Sequence, residues 1–160
     1  MSTAVRTIGA YGWQREEFHR RLREHGVDLF LDLRQRRGLR GPRYAWANAT
    51  QLTEDLERSG IAYRHLKDLA PTTETRAQQH AADAAAGTTK SARQALGEAF
   101  VSDYRRRTLD RYDFSGLLHD FQQHAAVLFC VEEFPAACHR SLVAGRIEGL
   151  NGVEVIHLLP

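Results

Sequence analysis

Apolar and polar positions alternate near the start of the chain in an order that predicts strand, helix and strand. Residues 4–12 form a short apolar run ending in a glycine turn, and residues 27–34 form a second run of β-prone side chains. Between them, Phe18 and Leu22 lie one helical turn apart among charged residues, and Gly26 lies where a helix would end. This order within about thirty residues is typical of a βαβ unit, whose crossover is almost always right-handed.

The same order of elements repeats in the next segment. Residues 48–60 predict a helix with Asn48 as its N-cap, Leu52 and Leu56 facing inward, and a glycine at its end. Residues 61–66 then read as a third strand. Repeated βαβ units favour a parallel sheet with helices on both faces.

Residues 70–124 lack the clear periodicity of the first third and predict a helical insertion or a lid-like region. A helix over 73–86 would have only a thin apolar face, and two further helices are predicted over 91–109 and 114–124. We therefore expect this region to lie beside the sheet rather than to add strands to it.

The last forty residues predict one central strand, a helix and a closing strand. Every residue from 125 to 131 is apolar, as a central parallel strand requires. A helix over 135–148 would begin with Pro135 and end before Gly149, and residues 153–159 read as the last strand. The pattern predicts a single α/β domain over 1–160, with a mostly parallel, Rossmann-like sheet of about five strands flanked by helices on both faces.

Composition adds the expected setting of the chain. The hydrophobic share of 42% and the charged share of 26% are ordinary for a globular domain, and no apolar run is long enough for a membrane span. Because the N-terminus has no signal-peptide pattern, we expect a cytoplasmic location and no membrane partner. In that setting the two cysteines are expected to be free thiols.

Positive charge is unevenly distributed although the net charge is only +2. Arginines cluster over 34–43 and 104–111, and guanidinium groups bind phosphate in a bidentate manner. In an open parallel sheet, ligands bind beyond the carboxyl ends of the strands. We therefore expect an anion or ligand site made of residues at the strand ends, of the arginine run with the tyrosine that follows it, and of the start of the last predicted helix: Gly9, Tyr11, Asp32, Arg34, Arg37, Tyr44 and Arg140.

The segment LFCVEEFPAACHR, residues 128–140, supplies the candidate catalytic groups. Cys138 near a helix N-terminus, with His139 beside it, predicts an activated thiol, although a small thiol packing the helix onto the sheet is equally consistent. Glu132 is a candidate acid or base, and Cys130, inside an apolar strand, is better explained as a structural thiol. Asp32 and Arg34 either pair with each other or frame the pocket mouth.

Two familiar cysteine chemistries do not fit the spacing of this segment. A phosphatase-type loop needs an arginine six residues after the nucleophilic cysteine. The residue six positions after Cys130 is Ala136, so this pattern is absent. A zinc site could use Cys130, Cys138 and His139, but their spacing differs from C-x₂₋₄-C pairs, so we expect no metal.

These motifs resemble the bacterial and archaeal family called domain of unknown function 488. The resemblance rests on four segments: Thr7-Ile8-Gly9, Asp32-Leu33-Arg34, Gly60-Ile61-Ala62-Tyr63, and Leu128 to Arg140 followed by Val155-Ile156-His157. It implies an α/β fold with a pocket at the motif positions, and it implies no reaction. Around that pocket the chain departs from the family pattern, with RQRRGLRG where a Pro-x-Ser-rich loop is usual.

Three hypotheses for function remain open at this point. The first is an enzyme-like domain that binds a phosphate-bearing small molecule, a nucleotide or a nucleic acid at the strand ends, with a reactive cysteine. The second is a non-catalytic nucleic-acid-binding or regulatory module, and the third is a thiol redox or metal-binding protein. The sequence indicates no cofactor and no oligomeric state.

Overall fold

The computed structural model, which describes residues 4–160, contains one sheet of five parallel strands. The strands lie in the order β3-β2-β4-β1-β5. Their bounds are β1 Val5–Ile8, β2 Leu29–Asp32, β3 Ala62–His65, β4 Ala126–Phe129 and β5 Val155–Leu158. The predicted α/β fold with about five parallel strands is therefore confirmed.

Strand β4 lies between β1 and β2, so the first βαβ unit crosses over it. Phe129 at the end of β4 pairs with both Ile8 and Asp32, which aligns the carboxyl ends of the three central strands. All four residues of β4 are buried, as the apolar run over 125–131 predicts. The loops after these three strands therefore meet at one edge of the sheet.

Six α-helices surround the sheet in the described part of the chain. They are α1 Arg15–Glu24, α2 Ala49–Arg58, α3 Thr73–Ala86, α4 Glu98–Tyr104, α5 Ser115–Gln123 and α6 His139–Asn151. Phe18 and Leu22 of α1 and Leu56 of α2 belong to one buried cluster, whereas Phe121 of α5 and Ile147 of α6 belong to another that includes the opposite side chains of the strands. Helices thus cover both faces, as expected.

The helix predicted over 91–109 begins later in the structure than the sequence pattern indicates. It begins at Glu98, because tertiary hydrogen bonds hold the preceding residues as a loop: Leu96 N–H donates to Ala136 O at 2.9 Å and Gly97 N–H to Gln79 Oε1 at 2.8 Å. Its end continues into a π-helical turn over Arg105–Leu109. Local sequence preference for a longer helix is overridden by these contacts.

The helix predicted over 135–148 is divided into two parts. Pro135–Ala137 forms a separate 3₁₀ turn, and Cys138 has an extended backbone with φ −135° and ψ 142°. Cys138 is therefore the N-cap of α6 rather than a residue of its first turn. The helix continues past Gly149 to Asn151, because the left-handed stop conformation is adopted by Gly152 at φ +70°.

Residues 70–124, expected to be an insertion or lid, contain α3, α4 and α5. Phe100 and Tyr104 of α4 and Phe121 of α5 are part of the buried core beneath the sheet. Helix α3 packs against α4, and the polar face of α3 lies at the carboxyl edge of the sheet. Among residues 4–160, no helix is both long and apolar enough to cross a membrane.

Candidate functional site

A cavity of about 900 Å³ opens at the carboxyl edge of the sheet. Tyr11 after β1, Arg34 after β2 and Cys130 after β4 line it from the sheet side. Helix α3 supplies Arg76, and the loop between α3 and α4 supplies further polar side chains on the opposite wall. The loops that the parallel-strand rule brings together therefore do form one concave site.

Basic side chains outnumber acidic ones around this cavity. The lining contains seven arginine or lysine residues and two glutamates: Arg34, Arg36, Arg40, Arg43, Arg76, Lys90 and Arg93 against Glu132 and Glu133. The whole chain has a net charge of only +2, so this excess is concentrated at the site. A concave surface lined by one sign of charge concentrates ligands of the opposite sign.

Asp32 and Arg34 form a buried ion pair at the edge of the cavity, which is one of the two alternatives left open by the sequence. Arg34 Nη2 donates to Asp32 Oδ2 at 2.8 Å, and Arg34 Nη1 donates to Ala47 O at 2.8 Å. The guanidinium lies 4.8 Å from the centre of the Phe129 ring. Asp32 is fully buried and does not line the cavity, whereas Arg34 reaches it with a charge already balanced by Asp32.

Tyr63 of the edge strand β3 also contacts this ion pair; it belongs to one of the motifs that carry the family resemblance, but it was not among the expected ligand residues. Its hydroxyl donates to Asp32 Oδ2 at 2.7 Å. Burial and the neighbouring Asp32 raise the pKa of Tyr63 to about 12, so the hydroxyl keeps its proton. The expected ligand residue Arg37 also contacts Tyr63 and lies outside the cavity lining.

Arg140 and Gly9, both expected to hold an anion, lie behind the cavity wall. Arg140 is fully buried; its Nη1 donates to Glu132 O at 2.5 Å and its Nη2 to Glu133 O at 3.1 Å. A Cβ atom on Gly9 would lie 2.1 Å from the same Glu132 O. The two residues therefore fix the path of the loop after β4, and neither belongs to the lining.

Three buried side chains, Cys130, Cys138 and His139, form what we call the thiol cluster. Their Sγ, Sγ and ring nitrogen atoms all lie within 4.8 Å of one another, and both thiols are free. His139 Nε2–H donates to Leu33 O at 3.0 Å, and its Nδ1 lies 3.7 Å from Cys130 Sγ. Cys130 and His139 line the cavity, whereas Cys138, 1% exposed, lies behind them.

The two thiols of this cluster have opposite pKa shifts. Burial opposes ionisation of Cys138, but contacts with Cys130, Arg140 and His139 outweigh burial and hold its pKa well below the usual value. Burial, together with the neighbouring Cys138, raises the pKa of Cys130. Burial lowers the pKa of His139, yet the charge of Cys138 more than compensates and the net shift is upward. The charge of the pair is therefore concentrated on Cys138.

Glu132 is a buried acid that interacts with Cys138 of the thiol cluster. Burial, followed by the charge of Cys138, raises the pKa of Glu132 to about 7, and Lys90 and Arg93 oppose that rise. Its Oε1 accepts from Arg93 Nη2 at 2.9 Å, while its Oε2 has no hydrogen-bond partner among the described residues. A buried carboxyl group in a cavity with such a pKa can take up or release a proton near neutral pH.

Two tyrosines, Tyr11 and Tyr44, form an aromatic rim of the cavity, and Tyr11 also packs against the buried cluster that contains Cys130 and Cys138. The rings of Tyr11 and Tyr44 lie 5.0 Å apart, and Tyr44 Oη accepts from Gly12 N–H at 2.9 Å. The guanidinium of Arg43 lies 5.2 Å from the centre of the Tyr44 ring. Trp46 of the same segment packs in the core instead, 4.8 Å from the Phe18 ring.

The basic residues of the opposite wall were not predicted as site residues. Arg76 on α3 donates to Gln35 Oε1, and Arg93 in the following loop bridges Asp83 and Glu132. The only sequence signal was that Arg76 and His80 lie four residues apart on a helix with a thin apolar face. Such spacing is common on solvent-facing helices, so it did not indicate a site.

Fold and site together define a class: a parallel α/β domain with a basic, thiol-containing cavity at the carboxyl edge of its sheet. Within that class, the chain belongs to the family described as domain of unknown function DUF488, whose model matches residues 14–147. That segment runs from α1 to α6 and includes the arginine run, both cysteines and most of the cavity lining. No curated protein and no solved structure matched the chain.

Proposed function

We propose that this chain is an enzyme-like domain that binds a phosphate-bearing ligand in the cavity at the carboxyl edge of the sheet. The observation that carries the proposal is the excess of basic side chains around one concave space. Arg34 is paired with Asp32, and Arg93 is paired with Asp83 and Glu132. The remaining basic residues of the lining are Arg36, Arg40, Arg43, Arg76 and Lys90. Several of these cations project from exposed positions of the loop after β2, among them Arg36, Arg40 and Arg43. Guanidinium groups that converge on a cavity are well suited to phosphate oxygens.

A nucleotide, free or part of a nucleic acid, is the phosphate-bearing ligand that suits this cavity best. Its volume of about 900 Å³ falls within the range of small-molecule sites and exceeds what inorganic phosphate needs. The rim formed by Tyr11 and Tyr44 offers aromatic faces on which a base can stack, beside the guanidinium of Arg43. Phosphate and base would thus have separate contacts in one site.

The polar groups on the sheet side of the cavity would handle the chemistry. Glu132, with its pKa near 7, is the candidate proton donor or acceptor. Cys138 was the expected nucleophile, but its near-complete burial means that a ligand would meet the Cys130 thiol first. In this proposal, Cys138 and His139 act through Cys130.

Calorimetric titration of the chelator-treated protein with pyrophosphate and with ATP tests the proposal. The double variant Arg36→Gln/Arg40→Gln removes two exposed cavity charges and should weaken binding at least about tenfold, since each removes an ionic contact. The matched control is Arg20→Gln/Arg23→Gln, which removes the same charge from the exposed side of α1. Absence of binding by the wild type, or equal loss in both variants, would refute the cavity as the site.

One observation favours the second function, a non-catalytic nucleic-acid-binding module. The arginines of the loop after β2 extend from the cavity onto the exposed surface, so a longer polyanion could follow them. Binding of a single-stranded oligonucleotide that weakens steeply with salt, with no binding of ATP, would support that module. A cytoplasmic location is part of either proposal.

A further inference from the structure

The thiol cluster has the composition of a metal site that the spacing of its residues in the sequence does not suggest. We propose that Cys130 Sγ, Cys138 Sγ and His139 Nδ1 bind one thiophilic divalent cation such as Zn²⁺. These three atoms lie within 4.8 Å of one another, in side chains that are all buried. Two thiolates and one imidazole are among the ligands that Zn²⁺ prefers. The inference does not depend on phosphate binding.

The distances in the cluster agree with tetrahedral coordination. Bonds of about 2.3 Å to sulfur and about 2.0 Å to nitrogen at the tetrahedral angle place those two ligands about 3.5 Å apart. Cys130 Sγ and His139 Nδ1 are 3.7 Å apart. Because no pair in the cluster is separated by more than 4.8 Å, closure around a cation needs the separation of any pair to shorten by about 1.3 Å at most.

A backbone contact orients the histidine for this role. His139 Nε2 lies 3.0 Å from Leu33 O, and since a carbonyl oxygen can only accept, the proton is on Nε2. Nδ1, which faces Cys130, is then left as the metal-binding nitrogen. Ligand histidines usually have such an outer partner, which fixes the tautomer and the ring orientation. Leu33 itself is held between Asp32 and Arg34, which form the buried ion pair.

Charge also favours a cation at this position. When the cation binds, each protonated thiol releases its proton to solvent, and two thiolates then balance the two positive charges of the metal. Arg140, a buried cation that interacts with Cys138, is already held by the carbonyl oxygens of Glu132 and Glu133. A buried thiolate that gains a metal partner no longer has to be stabilised by hydrogen bonds alone.

The fourth coordination position of this site would face the cavity. Cys130 and His139 line the cavity while Cys138 lies behind them, so the remaining tetrahedral direction points toward the open side. Glu132, which interacts with Cys138, has one carboxylate oxygen without a partner in the described part of the chain. Three protein ligands with one open position are typical of catalytic rather than structural zinc sites.

Cobalt substitution tests the site directly in the wild-type protein. Chelator-treated, reduced protein titrated with Co²⁺ should bind one ion per chain and develop thiolate charge-transfer absorption together with intense tetrahedral visible bands. Addition of Zn²⁺ should remove those bands. The chain contains only two cysteines, so Zn²⁺ should also slow the reaction of both thiols with a thiol reagent. Weak octahedral bands, or thiols that react equally fast with Zn²⁺, would overturn the proposal.

Variants locate the ligands and separate binding from folding. Cys130→Ser and Cys138→Ser should each reduce Zn²⁺ affinity by more than the roughly 10–100-fold that loss of an outer-shell partner costs. His157→Gln is the matched control, because His157 hydrogen-bonds Thr7 and is not a member of the cluster. Unchanged affinity for Zn²⁺ in the double Cys→Ser variant would contradict the proposed ligands. Formation of a Cys130–Cys138 disulfide at the same rate with and without Zn²⁺ would contradict them as well. Pyrophosphate binding is measured on metal-free protein, so the two proposals can fail separately.

Discussion

At the scale of single residues, two buried groups determine the shape of the loop after β4. Arg140 donates hydrogen bonds to the carbonyl oxygens of Glu132 and Glu133, and Gly9 lets the end of β1 approach Glu132 O closely. Both were expected to contact a ligand, and both instead set the position at which Glu132 presents its carboxyl group to the cavity. This positioning depends on the guanidinium of Arg140, which is fully buried. Without these hydrogen bonds, burial of its charge would destabilise the folded state.

We expect Gly9→Ala to destabilise the protein by about 1–3 kcal/mol, the usual cost of overpacking. The added methyl group would lie 2.1 Å from Glu132 O, so backbone has to move. Urea unfolding at neutral pH measures the change. The control is Gly116→Ala in α5, where nothing lies within 4 Å of the added atom and stability should stay equal or rise by up to about 1 kcal/mol. Equal stability of Gly9→Ala and the wild type would contradict the close approach.

At the scale of secondary-structure elements, a buried carboxylate links the two helices on one face of the sheet. Asp55 of α2 accepts from Arg15 of α1 at 2.7 Å, and also from Gln51 and Arg58 of its own helix. Burial alone would raise the pKa of Asp55, but these hydrogen bonds outweigh burial and lower it to about 2. Helix packing on this face therefore includes an electrostatic contribution besides the apolar contacts of Phe18.

The sign of that shift gives a pH prediction for Asp55→Asn. Because the folded pKa of about 2 lies below the unfolded value of about 3.9, the carboxylate contributes stability above pH 4 that is lost as pH falls toward 2. We expect the variant to be less stable at pH 7 by about 1.5–3 kcal/mol, as for hydrogen bonds to charged groups, and the difference to narrow below pH 4.

Urea unfolding at a series of pH values from about 2 to about 7 gives this comparison. Glu54→Gln, an exposed carboxylate of the same helix, is the control and should be close to neutral throughout. A stability difference between Asp55→Asn and the wild type that does not change with pH would show that the loss is steric rather than ionic.

At the scale of the whole molecule, the strand order places positive charge from distant parts of the chain around one cavity. Strand β4 between β1 and β2 brings the loops after all three together, and α3 with its following loop adds Arg76, Lys90 and Arg93. A folded state that gathers like charges is destabilised by their repulsion, and an anion that binds there relieves it. Ligand binding should therefore be visible as stabilisation of the entire domain.

Pyrophosphate at about 100 times its dissociation constant should stabilise the fold by about 2.7 kcal/mol, which corresponds to a rise in Tm of roughly 5–10 °C for a domain of this size. Thermal unfolding followed by circular dichroism measures the shift. Sodium chloride at the same ionic strength is the control and should give a much smaller change. Equal shifts with both salts would mean that screening, and not a bound anion, stabilises the protein.

The sequence predicted the elements well where their signal is local. The apolar run over 125–131 indicated a central strand, and Phe18 with Leu22 indicated the inward face of α1; both are confirmed. The starts of α4 and α6 were misplaced because Gly97 and Cys138 take their conformations from contacts across the fold or in a neighbouring turn. Helix propensity does not contain those contacts.

What the sequence determined by itself is the class of fold and the edge of the sheet at which a site would form. Apolar periodicity is a local property, and parallel connectivity then dictates where loops meet. The roles of individual charged groups were decided by the tertiary structure, because a guanidinium that meets buried carbonyls, as Arg140 does, is no longer available to a ligand. The same holds for Cys130, Cys138 and His139: eight residues of separation say little, and only folding brings their ligand atoms together.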